Sequence, residues 1–253
     1  MAAVAGPDRT GPTADRWRGP WPPGWTVGHV AETASTNADL VAGAAQHPDR
    51  TVLVADHQTA GRGRLDRRWD APPGENLLVS MLFREVPDDA GDLVRRVSLA
   101  ALDAIAEVAP RAGTPRIKWP NDVLLDGSKV AGVLAARVAG GPVVVGIGIN
   151  VGWCPDGAAR VGGAGAVSRP GLLAALLAAY DRLAAAAPAD VLARYRAELA
   201  TLGQRVRVER PAGDDLVGRA VTVTADGRLV IADDDGASHT VDVGDIVHLR
   251  SLG

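Results

Sequence analysis

Three β-like runs follow one another at residues 123–125, 129–138 and 143–151, and short turns separate them. Asp126-Gly127 joins the first two and Gly140-Gly141 the last two. Such dipeptides take the positive φ that a tight hairpin needs, so the strands double back antiparallel. A sheet built from hairpins is not a doubly wound parallel one, where a helix crosses over after each strand. Two more strands are predicted at 51–58 and 76–83, bracketing an arginine-rich loop. Leu93, Val97, Ala101, Ala104 and Val108 recur at helical spacing, which predicts a helix over 92–108. Ser35 or Thr36 is placed to cap a shorter helix carrying Leu40, Val41 and Ala44 inward. Ala/Leu-rich runs at 172–183 and 191–202 read as two further helices, separated by Pro188. The fold class is therefore α+β, a mixed and largely antiparallel sheet with helices.

After Gly203 the pattern changes to five short alternating strands broken by Gly and Asp, the signature of a small β-barrel. The expected organisation is an arm at 1–27, a main domain at 28–203 and the barrel at 204–253, which 253 residues accommodate. Trp17, Trp21 and Trp25 would pin the arm to the body. The Ala/Gly-rich stretch 152–168 has no pattern that would hold it still.

A pI near 5.9 and a formal net charge of −3 argue against a general nucleic-acid binder. A single cysteine, Cys154, excludes an internal disulfide framework and fits a reducing compartment. No apolar run reaches the roughly 18 to 20 residues needed to span a bilayer. Pro, Gly and charge break up the N-terminus, which has no signal-peptide core. A soluble cytoplasmic protein with no DNA or membrane partner is expected.

Against that acidic balance, Arg62, Arg64, Arg67 and Arg68 fall within seven positions. Gly61 and Gly63 allow the backbone to approach a ligand, while guanidinium forks bind carboxylate or phosphate oxygens in pairs. The loop has neither P-loop nor dinucleotide-fold spacing. Taken alone, such a loop is more often a solvated surface loop. In "KWPNDVLLDGSKVAG", residues 118–132, Asn121 and Asp122 can present an amide and a carboxylate to a ligand or Mg²⁺. Lys129 opens the next strand, where a cation beside a buried anion and a plain surface lysine are both open readings. In "VVVGIGINVGW", residues 143–153, Gly146 and Gly148 clear one strand face, as a ligand lying against it requires; a bulge or barrel corner needs glycines too.

Taken together and in this order, four blocks resemble the biotin protein ligases. They are Ser35-Thr36-Asn37; "DHQTAGRGR" followed by Trp69; "KWPNDV" followed by Lys129 and Gly132; and "GIGIN". The resemblance covers about residues 28–250 and includes a C-terminal SH3-like barrel. It implies a class II synthetase-like catalytic domain using ATP and Mg²⁺. Biotin would be activated to biotinyl-5′-adenylate and passed to a lysine on the biotin carboxyl carrier domain of an acyl-CoA carboxylase. Lipoate or octanoate ligation on the same fold, and a non-catalytic binding module, are the alternatives.

The resemblance also implies roles. Ser35, Thr36, Asn37 and Gln58 would bind biotin's ureido head, and Gly61, Arg62, Gly63 and Arg64 would close over its chain and carboxylate. Lys129 would bridge carboxylate and α-phosphate, so Lys129, Arg62, Arg64 and Asp122 form the catalytic set. Gly132, Gly146 and Gly148 would leave room for the biotin rings. Arg64, Arg67, Trp69, Asn121 and Asn150 would face ATP, and Asp122 would place Mg²⁺. The stretch 152–168 would be the adenylate-binding loop, with Trp153 covering adenine, although its end reads only "AVSRPGLL". The arm leaves no room for a winged helix-turn-helix, so repressor activity is not expected, and a monomer or weak homodimer is. Both ligand loops are expected to be mobile until biotin, then ATP, arrives.

Overall fold

A computed structural model describes residue 17 and residues 19–64, 67–162, 166–209, 215–242 and 245–248. Strands β1 (Thr26–Thr33), β2 (Thr51–Gln58), β3 (Leu77–Phe83), β4 (Pro115–Lys118), β5 (Asp122–Leu125), β6 (Ser128–Arg137) and β7 (Val143–Ile149) form one sheet. Its order is β1-β2-β3-β7-β6-β5-β4. Only β1 and β2 run parallel; every other pair is antiparallel. The helices are α1 (Thr36–Gly43), α2 (Gly91–Val108), α3 (Arg169–Ala184) and α4 (Pro188–Glu198). Ser35 caps α1 by accepting from the Ala38 amide. Asp126 and Gly127 both have positive φ at the β5–β6 turn, as the hairpin reading requires.

Hydrophobic patterning missed two strands, both at sheet edges. β1 is half exposed along its length, so burial imposes no clean alternation on it. It begins at Thr26, inside the stretch read as an arm. β4 has four residues and opens with Pro115, which an edge strand tolerates because the missing N–H belongs to no ladder. Helix α4 also differs from its expected 191–202 span. Pro188 starts it, its fixed φ suiting the first turn. It ends at Glu198 because the chain then pairs with β4, Leu199 bridging to Ile117 and Ala200 N donating to Ile117 O.

Trp17 and Trp25 are buried, and Trp21 packs partly buried against the core. Trp17 stacks on His29 and Trp25 meets Phe83 and Tyr180 edge-on. The rest of the predicted arm, residues 1–16 and 18, lies outside the described residues.

Strands β8 (Arg205–Glu209), β9 (Leu216–Val223), β10 (Leu229–Ala232), β11 (Ser238–Val241) and β12 (Asp245–His248) form a second, antiparallel sheet ordered β11-β10-β9-β8-β12. Its inward Val206, Val208, Leu229 and Ile231 belong to the same apolar cluster as Trp119 of the main sheet. The Trp119 indole also donates to Gly227 O at 2.9 Å.

Alternation along β3 and β7 sorts side chains between two layers. Val143, Val145, Ile147 and Ile149 enter the main core with Leu93, Val97, Leu172 and Leu176. Val144 packs with Leu40, Ala44 and Leu82 beneath α1. Gly146 and Gly148 share that second face, and there the strand has no side chains.

Candidate active site

A cavity of about 710 Å³ opens over this cleared face. It is lined by every site residue named from the sequence except Gly61 and Trp153. Residues from the start of α1, the β2–β3 loop, β5, β6 and β7 therefore meet in one place.

At one end lies a polar cluster. Gln58 Oε1 accepts from both the amide and the hydroxyl of Thr36, at 2.8 and 3.0 Å. The Thr36 hydroxyl also lies 2.8 Å from Ser80 Oγ. Asn37 Nδ2 donates to Leu134 O. A Cβ on Gly146 would lie 3.1 Å from both Asn37 Nδ2 and Ser80 Oγ, so glycine lets this cluster sit on the strand. Ser80 was not singled out in the sequence, because a serine inside an apolar strand carries no signal until its neighbour across the sheet, Gly146, is known.

The arginine loop folds as a small hairpin. Arg62 bridges Arg68, Gly63 N donates to Arg67 O, and Trp69 N donates to Gly61 O. Gly61 sits at its base and does not line the cavity. A Cβ there would collide with the Trp69 carbonyl, so this glycine serves loop closure. Arg64 Nη1 reaches Asn121 Oδ1 at 3.4 Å. Asn121 is in turn fixed by donating to Val133 O at 2.7 Å. Residues 65 and 66 lie outside the described residues.

The Trp69 indole enters the cavity and lies against Gly148 and Gly132. A Cβ on Gly148 would fall 2.5 Å from Trp69 Cε2, and one on Gly132 3.3 Å from Cζ3. The space expected for biotin's rings at these two glycines therefore holds the indole here. Lys129 Nζ stands 5.5 Å from the Trp69 ring and 2.7 Å from Asp122 Oδ1.

A β-bulge puts Lys129 on the cavity face. In a regular strand residues 129 and 132 would point to opposite sides. The β5–β6 register shifts between Val123 and Leu124, so that Val123 faces Ala131 while Leu124 faces Lys129. The extra residue lets Val130 and Ala131 both enter the core, and Lys129 and Gly132 both face the cavity.

Of the stretch 152–168, expected from its composition to be unanchored, residues 152–162 are anchored, together with Asn150 and Val151 before them. Ala159 N donates to Lys129 O, Val161 N to Asn150 O and Gly162 N to Val151 O. Arg160 Nη1 donates to Gly152 O, and Val161 is buried. Trp153, proposed to cover adenine, does not line the cavity; Pro155 and Ala158 do. Asn150 is 3% exposed, and its Nδ2 donates to Ala159 O at 2.9 Å.

Away from the cavity lining, an ion cluster that no sequence motif marks joins β1, β2 and α3. Asp56 contacts His29 Nε2 at 3.0 Å and Arg169 Nη2 at 2.8 Å. Burial pushes the Asp56 carboxyl up, but bonds from His29 and Arg169 outweigh it and hold its pKa below the ordinary value. The Tyr195 hydroxyl donates to Pro120 O in the turn before Asn121, and burial pushes that phenol's pKa up, keeping the donor protonated.

Comparisons with known proteins agree with this geometry. Residues 27–152 match the biotin/lipoate A/B protein ligase family, and residues 201–249 match the biotin protein ligase C-terminal domain. The chain is 43% identical to the biotin–[acetyl-CoA-carboxylase] ligase of Mycobacterium tuberculosis, over 87% of this chain and 88% of that one. This chain is a biotin protein ligase. The Paracoccus denitrificans ligase of the same description is 35% identical over 82% of this chain and 91% of its own length. Among solved structures, the Aquifex aeolicus biotin protein ligase in complex with biotin and ATP superposes with a TM-score of 0.74 at 24% identity, covering 89% of this chain and 99% of that one. The fold of this ligase is that of its family. Among the described residues, no helix is long and apolar enough to cross a membrane.

Proposed function

We propose that this ligase works in the cytoplasm in two steps, activating biotin with ATP and then biotinylating a carrier lysine. The observation that carries the reading is one ammonium, Lys129, turned by the bulge onto the same glycine-cleared face that the arginine hairpin borders. In the first step a biotin carboxylate oxygen attacks the α-phosphorus of ATP, and pyrophosphate leaves. Two anions must approach each other, so fixed positive charge lowers the barrier. Lys129 would sit between carboxylate and α-phosphate, with Arg62 and Arg64 supplying further charge. Asp122 holds the Lys129 ammonium in place by their 2.7 Å pair. Thr36, Ser35, Asn37 and Gln58 are hydroxyl and amide groups suited to a buried ureido head. Asn121, Asn150, Arg67 and Trp69 border the nucleotide side.

Among the described residues, Asp122 and Asp70 are the carboxylates lining the cavity. One or two carboxylates plus triphosphate oxygens are the usual donor set for Mg²⁺, so these residues fit the ion. Bound there, Mg²⁺ would neutralise phosphate charge. In the second step a neutral carrier lysine attacks the acyl carbon, AMP leaves with the oxygen that bridged carbon and phosphorus, and the amine's proton passes to solvent. The acceptor is the carrier domain of an acyl-CoA carboxylase.

The test is ATP–pyrophosphate exchange with biotin, lipoate and octanoate offered separately. Exchange with biotin alone is expected; exchange driven by lipoate or octanoate and not by biotin would overturn the reading.

A further inference from the structure

We infer that Asn76 is a positioning residue for the nucleotide side of the site, acting through Asn150. This inference rests on the reading of Asn150 as facing ATP. Asn76 precedes β3, is 1% exposed and does not line the cavity. Its Oδ1 accepts from two backbone amides, Val151 N at 2.9 Å and Trp153 N at 3.3 Å. Those two donors fix the amide's orientation, since only the oxygen can accept. Nδ2 must then face the other way, where it donates to Asn150 Oδ1 at 3.3 Å. That contact fixes Asn150 in turn, leaving its own Nδ2 to donate to Ala159 O. Two backbone N–H groups thus dictate which way a cavity-lining amide points.

The same residue holds the far end of the segment. Its carbonyl accepts from Arg169 Nη1 at 3.4 Å, and Arg169 is the first residue of α3. Arg169 is anchored by Asp56 at 2.8 Å. Residue 76 therefore touches both the start and the end of the stretch that borders the nucleotide side. The β3–β7 ladder ends at Leu77 opposite Ile149, and the Asn76 side chain continues it where strand pairing stops.

Asn76→Asp separates positioning from simple support. A carboxylate still accepts from Val151 and Trp153 but has no donor for Asn150, whose oxygen it would repel. The KM for ATP is expected to rise about 10-fold or more, with the KM for biotin within about 2-fold of wild type. Asn150→Ala should raise the KM for ATP comparably, and adding Asn76→Asp to it should cost no more than about 2-fold further. If Asn150→Ala leaves the KM for ATP unchanged, the reading of Asn150 is wrong and the inference falls with it. If Asn150→Ala raises it and Asn76→Asp does not, or the two effects multiply in the double variant, Asn76 does not act through Asn150. Equal rises in the KM for both substrates would mean mere structural support and also overturn the inference. Asn76→Ser, smaller and uncharged, carries the same expectations if the aspartate variant does not fold.

Discussion

Residues 61–69 and residues 150–162 border one cavity, and different bonds hold them. The first segment is a hairpin closed by backbone bonds within itself, with Arg64 reaching Asn121 and Arg68 reaching Thr59 O. The second is stitched to the sheet: to Lys129 and Val130 of β6, to Glu75 and Asn76 before β3, and by buried Val161 to the core. Glycine content does not separate them, since both are rich in it. What separates them is where their amides find acceptors. On the proposed function, the first segment would bring charge to the ligand, and the second would form the wall beside the nucleotide.

The largest effect expected from this contrast is on chemistry. Arg64→Ala should lower biotin-dependent exchange by about 10²- to 10³-fold, the scale for loss of one preorganised charge contact. Its melting temperature should stay within about 2 °C of wild type, because little of the fold depends on that hairpin. Steady-state exchange and a thermal melt on the same sample check both halves. Val161→Ala should show the reverse weighting. Removing two buried methyls from the second segment should cost roughly 1 to 3 kcal/mol of stability, read as a lower urea midpoint.

Limited trypsin digestion sharpens the comparison at the level of backbone order. Cleavage is expected within the arginine hairpin, at Arg62, Arg64, Arg67 or Arg68, and biotin should slow it. Arg160 should resist with or without ligand, because both its neighbours are hydrogen-bonded and its side chain caps Gly152 O. This revises the expectation that both loops become ordered in turn. Rapid cutting at Arg160 that only ATP prevents would restore it.

Much of this was legible from residue types alone. The hairpin turns, the cap at Ser35 and the alternating glycines of β7 each carry their structural meaning in a few adjacent positions. The edge strands β1 and β4 do not, because half-exposed edges leave no burial pattern. The side of β6 on which Lys129 lies was not legible either. Counting by twos from Gly132 places it in the core, and only the bulge at Val130 corrects the parity. Asn76 and Ser80 were invisible for a related reason. Their roles depend on partners 74 and 44 residues away in sequence.

The smallest expected effect concerns Asp56, which ties Arg169 to β1 and β2. Its folded-state pKa is lowered, so its contribution is complete above the unfolded value near pH 4 and is lost as pH falls through the lower folded value. Asp56→Asn should reduce stability by about 1 kcal/mol at neutral pH. It should also flatten the loss of stability between about pH 4 and pH 2, measured by urea unfolding across that range.

The most direct test of the account is Lys129→Ala, measured separately for biotin binding by calorimetry and for adenylate formation in a single turnover. The ammonium is assigned to the meeting of carboxylate and α-phosphate. Adenylate formation should therefore fall by at least about 10²-fold, while biotin affinity changes by less than about 10-fold. Adenylate formation at the wild-type rate, or a loss wholly explained by weaker biotin binding, would contradict the placement of Lys129 at the reacting atoms.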